Sequence, residues 1–334
     1  MSESQNIVEG PVLVLVGPTA IGKTELSLQL AERFGCEIVS VDSMQVYRHM
    51  DIGTAKVSIA ERARIPHHLI DVVEPDEEYD AASFVRDALQ AIDQIYGRGR
   101  VPLLTGGTGL YLRALIDGLS SGIGHFPEIR EELQQRLALV GSEILHEELM
   151  RCDRYSGERI HENDTHRLLR ALEIYQATGK PWSEHINQHQ KQKGGRFTNI
   201  LQVGLTCERE LLYRRIDLRT SLMLGSGLEE EVKGLIARGY SPQLKSMQAI
   251  GYRHMNNYLQ NIWDMAETER LLARDTRRYA KRQYTWFGSN PDLQWFDVHN
   301  HSGIIKRIND WIAGTTPVPV KDLRKTNQRH RIIS

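Results

Sequence analysis

The segment GPTAIGKT at residues 17–24 constrains the fold of this chain more than any other stretch. It fits the pattern G-x-x-x-x-G-K-[ST]. The apolar run PVLVLV precedes it, and ELSLQLAERF follows, with Leu26, Leu30 and Phe34 on one helical face. Strand, glycine-rich turn and helix in that order make a phosphate cradle. The glycines let backbone N–H groups turn inward, and the helix N-terminus adds a favourable dipole. Lys23 supplies a point charge for a terminal phosphate, and the Thr24 hydroxyl is placed to hold a magnesium ion. The motif names a phosphate site without naming a reaction.

The same alternation continues along the chain. EIVSVD at 37–42 reads as a second strand. Ala81 to Ile95 reads as a helix with Phe84, Ala88, Leu89 and Ile92 inward, and VPLLTGG at 101–107 reads as a third strand. This pattern predicts an α/β fold, a P-loop NTPase-like parallel sheet flanked by helices. From Phe126 the chain turns helical and charge-rich, and a strand pattern returns in FTNILQVGLTC at 197–207. The expected division is therefore a catalytic α/β domain at 10–125 and 196–312 with an inserted all-helical lobe at 126–195. The end, 315–334, carries Lys321, Arg324, Lys325, Arg329 and Arg331 against Asp322, and reads as a disordered basic tail. The cysteines Cys36, Cys152 and Cys207 have no paired spacing, which argues against a disulfide framework or zinc site and fits a cytoplasmic protein. No apolar run is long enough to span a bilayer, so no membrane is expected. The formal net charge is -1, so any nucleic-acid binding must come from local patches.

Asp42 closes the second strand. Ligands of open parallel sheets sit at strand carboxyl ends, so its carboxylate faces the site of Lys23 and Thr24, where it could ligate a metal, act as a general base, or merely cap a loop. LLTGGTGLYLRAL at 103–115 offers the hydroxyls of Thr105 and Thr108, with Gly106, Gly107 and Gly109 allowing close backbone approach. No acid ends VPLLTGG, where many ATPases of this class hold magnesium, and ATP hydrolysis becomes the weaker reading. Arg215 and Arg219 in YRRIDLR lie four apart on one helix face. They either reach an anionic ligand or pair with acids such as Asp217 and Glu229. Between 267 and 287, Arg270, Arg274, Arg277, Arg278, Lys281 and Arg282 interleave with Tyr279, Tyr284, Trp286 and Phe287. That composition suits RNA phosphates and unpaired bases, and equally suits a solvated helix with aromatic residues in the core.

Taken in order, GPTAIGKT at 17–24, SVDSMQVYRHMDIGTAK at 40–56, PHHLIDVVEP at 66–75, LLTGGTGLYLRAL at 103–115, the HRLLRALE stretch ending at 173, SMQAIGYR at 246–253 and TRRYAKRQYTWF at 276–287 are similar to the tRNA dimethylallyltransferases of bacterial type. Gly288 stands where many relatives carry an arginine after the Trp-Phe pair. The resemblance implies transfer of a dimethylallyl group from its diphosphate to N6 of adenosine-37, next to the tRNA anticodon. It implies that Gly17, Thr19, Ala20, Ile21, Gly22, Lys23 and Thr24 hold the donor's diphosphate with Arg215, that magnesium sits at Thr24 and Asp42, and that Asp42 is the general base. Thr108 and Arg219 would assist the leaving group. Contacts to the anticodon stem-loop would come from Asp42, Ser43, Met44 and Gln45, from His166, Arg167, Leu168, Leu169 and Arg170, from Gln248, Ala249, Ile250, Gly251, Tyr252 and Arg253, and from Arg282 and Gln283. The protein is expected to act as a monomer.

Overall fold

The structure is a computed structural model that describes residues 7–118, 124, 126–191 and 195–314. The expected basic tail lies outside the described residues. The chain begins with β1 (Val8–Val16), α1 (Lys23–Phe34), β2 (Cys36–Val41), α2 (Ile59–Arg64), β3 (His67–His68), α3 (Ala81–Gly97), β4 (Val101–Gly106) and α4 (Gly109–Asp117). Four helices follow: α5 (Pro127–Cys152), α6 (Arg154–Arg159), α7 (Thr165–Thr178) and α8 (Trp182–Lys191). Then come β5 (Phe197–Thr206), α9 (Arg209–Gly225), α10 (Leu228–Ala237), α11 (Tyr252–Leu259), α12 (Met265–Gly288), β6 (Gln294–Asp297) and α13 (His301–Ala313).

The described residues form a six-stranded sheet in the order β3-β2-β4-β1-β5-β6. Its pairings are parallel, with Val14 of β1 opposite Leu104 of β4 and Gln202 of β5. The run from Pro11 to Val16 is buried throughout, as a strand covered on both faces must be. Its side chains alternate between two cores. Leu13 and Leu15 pack with Leu26, Leu30 and the partly buried Phe34 on one face, while Val12, Val14 and Val16 pack with Phe84, Ala88 and Ile92 on the other. Gly35 ends α1 in the left-handed conformation (φ 64°), so the chain can turn directly into β2.

The chain divides into two compact units, residues 1–116 with 196–334 and residues 117–195. The sequence placed the change near Phe126, where helical spacing begins; the division falls instead at the end of α4. Within the helical unit, Leu133, Leu145, Leu149, Leu168, Leu169 and Leu172 form a core of their own. Non-helical backbone at Gly141 (φ 82°) bends α5 between the two helical patterns. Strands β3 and β6 were not anticipated. One is two residues long, and the other, QWFD, is largely exposed, so neither shows a period of two. Among the described residues no helix is long and apolar enough to cross a membrane.

Candidate active site

The carboxyl ends of β1, β2 and β4 open into a cavity of about 450 Å³. The loop from Gly17 to Thr24 forms one wall. Gly22 adopts φ 106°, a conformation open to glycine, and α1 starts at Lys23 with no side chain capping it. The first N–H groups of that helix therefore have no intrahelical partner and face the cavity end. The Ile21 side chain is fully buried in the core, so only its backbone can serve a ligand. Lys23 folds over the loop, donating to the carbonyls of Gly17 (2.9 Å) and Pro18 (2.8 Å). Burial, reinforced by the Arg219 guanidinium and opposed by Asp42, brings its ammonium down to about 7.

Asp42 lines the same cavity from the end of β2. Its Oδ1 accepts the N–H groups of Met44 (2.8 Å) and Gln45 (3.2 Å), which fixes the carboxylate against its own turn. The other oxygen makes no hydrogen bond among the described residues. Thr24 and Asp42 thus offer one hydroxyl and one carboxylate, both hard oxygen donors. That set fits magnesium, which binds through one or two protein oxygens, substrate phosphates and water. No group of three or more His, Cys, Asp or Glu side chains that could cage a metal alone occurs among the described residues.

Two arginines of α9 resolve the alternative left by the sequence. Asp217 pairs with Arg277 and Glu229 with Lys233, so neither holds Arg215 or Arg219. Arg215 donates from Nη1 to the Ile21 carbonyl at 2.8 Å and braces the loop. Arg219 lines the cavity with no hydrogen bond or ion pair among the described residues, and burial lowers its pKa against the pull of Asp42. An unpaired interior guanidinium is costly unless an anion is to arrive.

The glycine-rich turn after β4 allows the close approach expected of it. Its glycines make room for protein: a Cβ on Gly107 would lie 2.2 Å from the Gln283 amide, and one on Gly109 2.1 Å from the Trp286 ring. The Thr108 hydroxyl, expected on the diphosphate, accepts the Ser43 N–H at 3.0 Å and bonds the Ser43 hydroxyl at 3.3 Å. It does not line the cavity. Thr105 does, and its buried Oγ1 has no hydrogen-bond partner among the described residues.

The residues expected on RNA divide in the same way. His166, Arg167, Gln248 and Arg282 are exposed, Arg167 paired with Asp164 and Arg282 lying over the Tyr279 ring. Arg170 pairs with the buried Glu173, and Arg253 with Asp275. Ser43, Met44, Gln45, Ala249 and Ile250 are half-buried, and Gly251 is buried. Leu168, Leu169 and Tyr252 are core residues, so their side chains are not available to RNA and any contact from these stretches falls to backbone or to their exposed neighbours. Gln283 is 4% exposed and bonded on both sides of its amide.

Sequence reasoning missed Glu231. Its carboxylate accepts the N–H groups of Asp51 (2.8 Å), Ile52 (2.7 Å) and Gly53 (3.0 Å), and the Tyr252 hydroxyl at 2.6 Å. The turn so held supplies Thr54 and Ala55 to the cavity wall. In the sequence this glutamate is one of three acids opening α10, a pattern that the helix dipole alone accounts for.

Comparison with known proteins agrees with this architecture. The family model described as IPP transferase matches residues 45–290, and one described as Isopentenyl transferase matches residues 10–66. The chain is 55% identical over 305 residues to the tRNA dimethylallyltransferase of Desulfotalea psychrophila, covering 91% of this chain and 96% of that one. Its fold is similar to the crystal structure of the tRNA isopentenylpyrophosphate transferase from Bacillus halodurans, with TM-score 0.66 and 41% identity over 91% of this chain and 96% of that one. It is also similar to a eukaryotic dimethylallyltransferase acting on tRNA, with TM-score 0.77 and 29% identity over 92% of this chain and 81% of that one.

Proposed function

The chain belongs to the IPP transferase family, and on that footing we propose that it transfers a dimethylallyl group from dimethylallyl diphosphate to N6 of adenosine-37, beside the anticodon of tRNA. The observation that carries the reading is one cavity holding an uncapped phosphate loop and, among the described residues, an arginine without a hydrogen bond or ion pair and a carboxylate oxygen without a hydrogen bond. An allylic diphosphate ionises readily once its leaving oxygens are neutralised. The N–H groups at the start of α1, the Lys23 ammonium and the Arg219 guanidinium stabilise the charge that develops there. Magnesium held by Thr24 and Asp42 would add Lewis-acid neutralisation of the diphosphate.

The exocyclic amine of adenine is a poor nucleophile because its lone pair is delocalised into the ring. It must be oriented closely and must lose a proton during or after attack, a task suited to the free oxygen of Asp42. The base is reachable once it leaves the loop stack, at a cost of about a few kcal/mol that contacts to the flipped base and backbone offset. Labelled dimethylallyl diphosphate offered to the enzyme with tRNA, and separately with AMP, tests the acceptor. The label is expected in tRNA, and label confined to AMP would overturn the proposal.

Lys23 gives a second test. Its ligand-free ammonium titrates at about 7, so at pH 8 most of the protein carries it neutral. A bound diphosphate favours the charged form and raises that pKa, so binding at pH 8 takes up a proton. Calorimetry of dimethylallyl diphosphate binding in buffers of different ionisation enthalpy should show this uptake, and Lys23→Met should abolish it. Binding without proton exchange in the unsubstituted protein would contradict this account of Lys23.

A further inference from the structure

We infer that Gln283 is a positioning residue for the phosphate loop and not an RNA contact, an inference that rests on the prenyl transfer proposed above. Gln283 lies on α12, whose neighbouring Lys281 and Arg282 are exposed while its own side chain is buried. Its Oε1 accepts the Thr19 N–H at 2.8 Å, and its Nε2 donates to the Gly107 carbonyl at 3.0 Å. One amide thus ties the crown of the loop after β1 to the turn after β4. The two bonds fix which way the amide faces: an N–H on one side requires the oxygen, and a carbonyl on the other requires the NH₂.

The contact is tight by construction, since any side chain at Gly107 would occupy the space of Nε2. It also occupies the Thr19 N–H, while Thr19 itself still lines the cavity. The Ile21 N–H is bonded to the Pro18 carbonyl, so the loop N–H groups without an acceptor among the described residues are those of Ala20, Gly22, Lys23 and Thr24, and their direction depends on where the crown of the loop is held. Ala20, next to Thr19, sits at φ 64°, a conformation that a non-glycine residue keeps only when its surroundings hold it. One helical turn earlier, Tyr279 lines the same cavity and bonds Thr108. The inner face of α12 therefore holds both loops.

The replacement Gln283→Glu sets a carboxylate oxygen against the Gly107 carbonyl and brings negative charge towards the diphosphate. Gln283→Met keeps the volume and leaves the part-buried Thr19 N–H without its acceptor and the Gly107 carbonyl without its donor. Each change removes an interaction whose loss corresponds to about 10-fold or more in an equilibrium. In the full-length enzyme, KM for dimethylallyl diphosphate should rise by about that factor in both variants, and the rise in Tm that the donor induces should shrink to match. The Kd for tRNA without donor should stay within about 2-fold of the unsubstituted protein.

A rise in tRNA Kd with donor KM unchanged would make Gln283 an RNA contact and overturn the inference. Equal changes in both would make it general packing and overturn it too. Should Gln283→Glu fail to fold, Gln283→Met carries the same comparison. If the unsubstituted protein transfers nothing to tRNA yet is stabilised by the donor, the prenyl-transfer reading fails alone, and the loss of that stabilisation in Gln283→Met still decides the role of Gln283. Absence of any donor stabilisation in the unsubstituted protein would overturn both.

Discussion

Replacing Asp42 by asparagine should lower kcat by about 10²-fold or more, the scale of a lost general base, while tRNA binding stays within about 2-fold. The substitution removes the carboxylate's proton-accepting and magnesium-holding roles together and spares the turn. An asparagine carbonyl can still receive the N–H groups of Met44 and Gln45, which Oδ1 accepts at 2.8 and 3.2 Å, so the turn keeps its shape. What disappears is the second oxygen, the one without a partner among the described residues. Asp42→Ala removes both functions and should lose at least as much activity together with some order in the Ser43–Gln45 turn. Single-turnover kinetics with tRNA and donor both saturating separates the chemical step from binding. Normal turnover in Asp42→Asn would remove this carboxylate from the mechanism.

Arg219→Met should abolish most activity and, in the ligand-free protein, raise Tm. The two effects have one origin. The guanidinium is half-buried, lowered in pKa by that burial, and bonded to nothing among the described residues, so it destabilises the empty fold. Bound diphosphate supplies its missing partner, and the charge that develops on the leaving group strengthens the interaction, a contribution of about 10² to 10³ in rate for one such donor. Arg215→Met should behave in the opposite way in the stability assay. Arg215 is fastened to the Ile21 carbonyl at 2.8 Å, and its loss loosens the phosphate loop and lowers Tm. Thermal unfolding of the two variants with and without donor checks the pair. A fall in ligand-free Tm for Arg219→Met would mean that the arginine is a structural tie.

The sheet and its nucleotide-type loop were legible because buried parallel strands and amphipathic helices repeat with different periods, and PVLVLV, ELSLQLAERF and VPLLTGG are clear examples of each. Asp42 was legible for a topological reason: strand carboxyl ends point at the ligand. Hydrogen-bond partners were not legible, because they depend on residues distant in sequence. Thr105 and Thr108 look alike in the segment TGGT, yet Ser43 takes the Thr108 hydroxyl while the Thr105 hydroxyl is buried with no partner among the described residues. Arg215 and Arg219 share a helix face and a charge, yet one braces the loop and the other makes no hydrogen bond or ion pair among the described residues. Glu231 and Gln283 lie in charged helical stretches where a solvated face is the ordinary reading. Only tertiary packing brings Glu231 to three backbone N–H groups and Gln283 between two loops.

The central claim is that the loop at Gly17 to Thr24 holds a diphosphate that departs whole and is not transferred. Dimethylallyl diphosphate labelled separately in its prenyl and phosphate parts tests it most directly, incubated with the enzyme, magnesium and tRNA. Nucleoside analysis of the tRNA should recover the prenyl label as N6-dimethylallyladenosine from the position beside the anticodon, and the phosphate label should be released as intact diphosphate in equal amount. Phosphate label in the RNA, or its release as orthophosphate with no modified adenosine, would contradict the account.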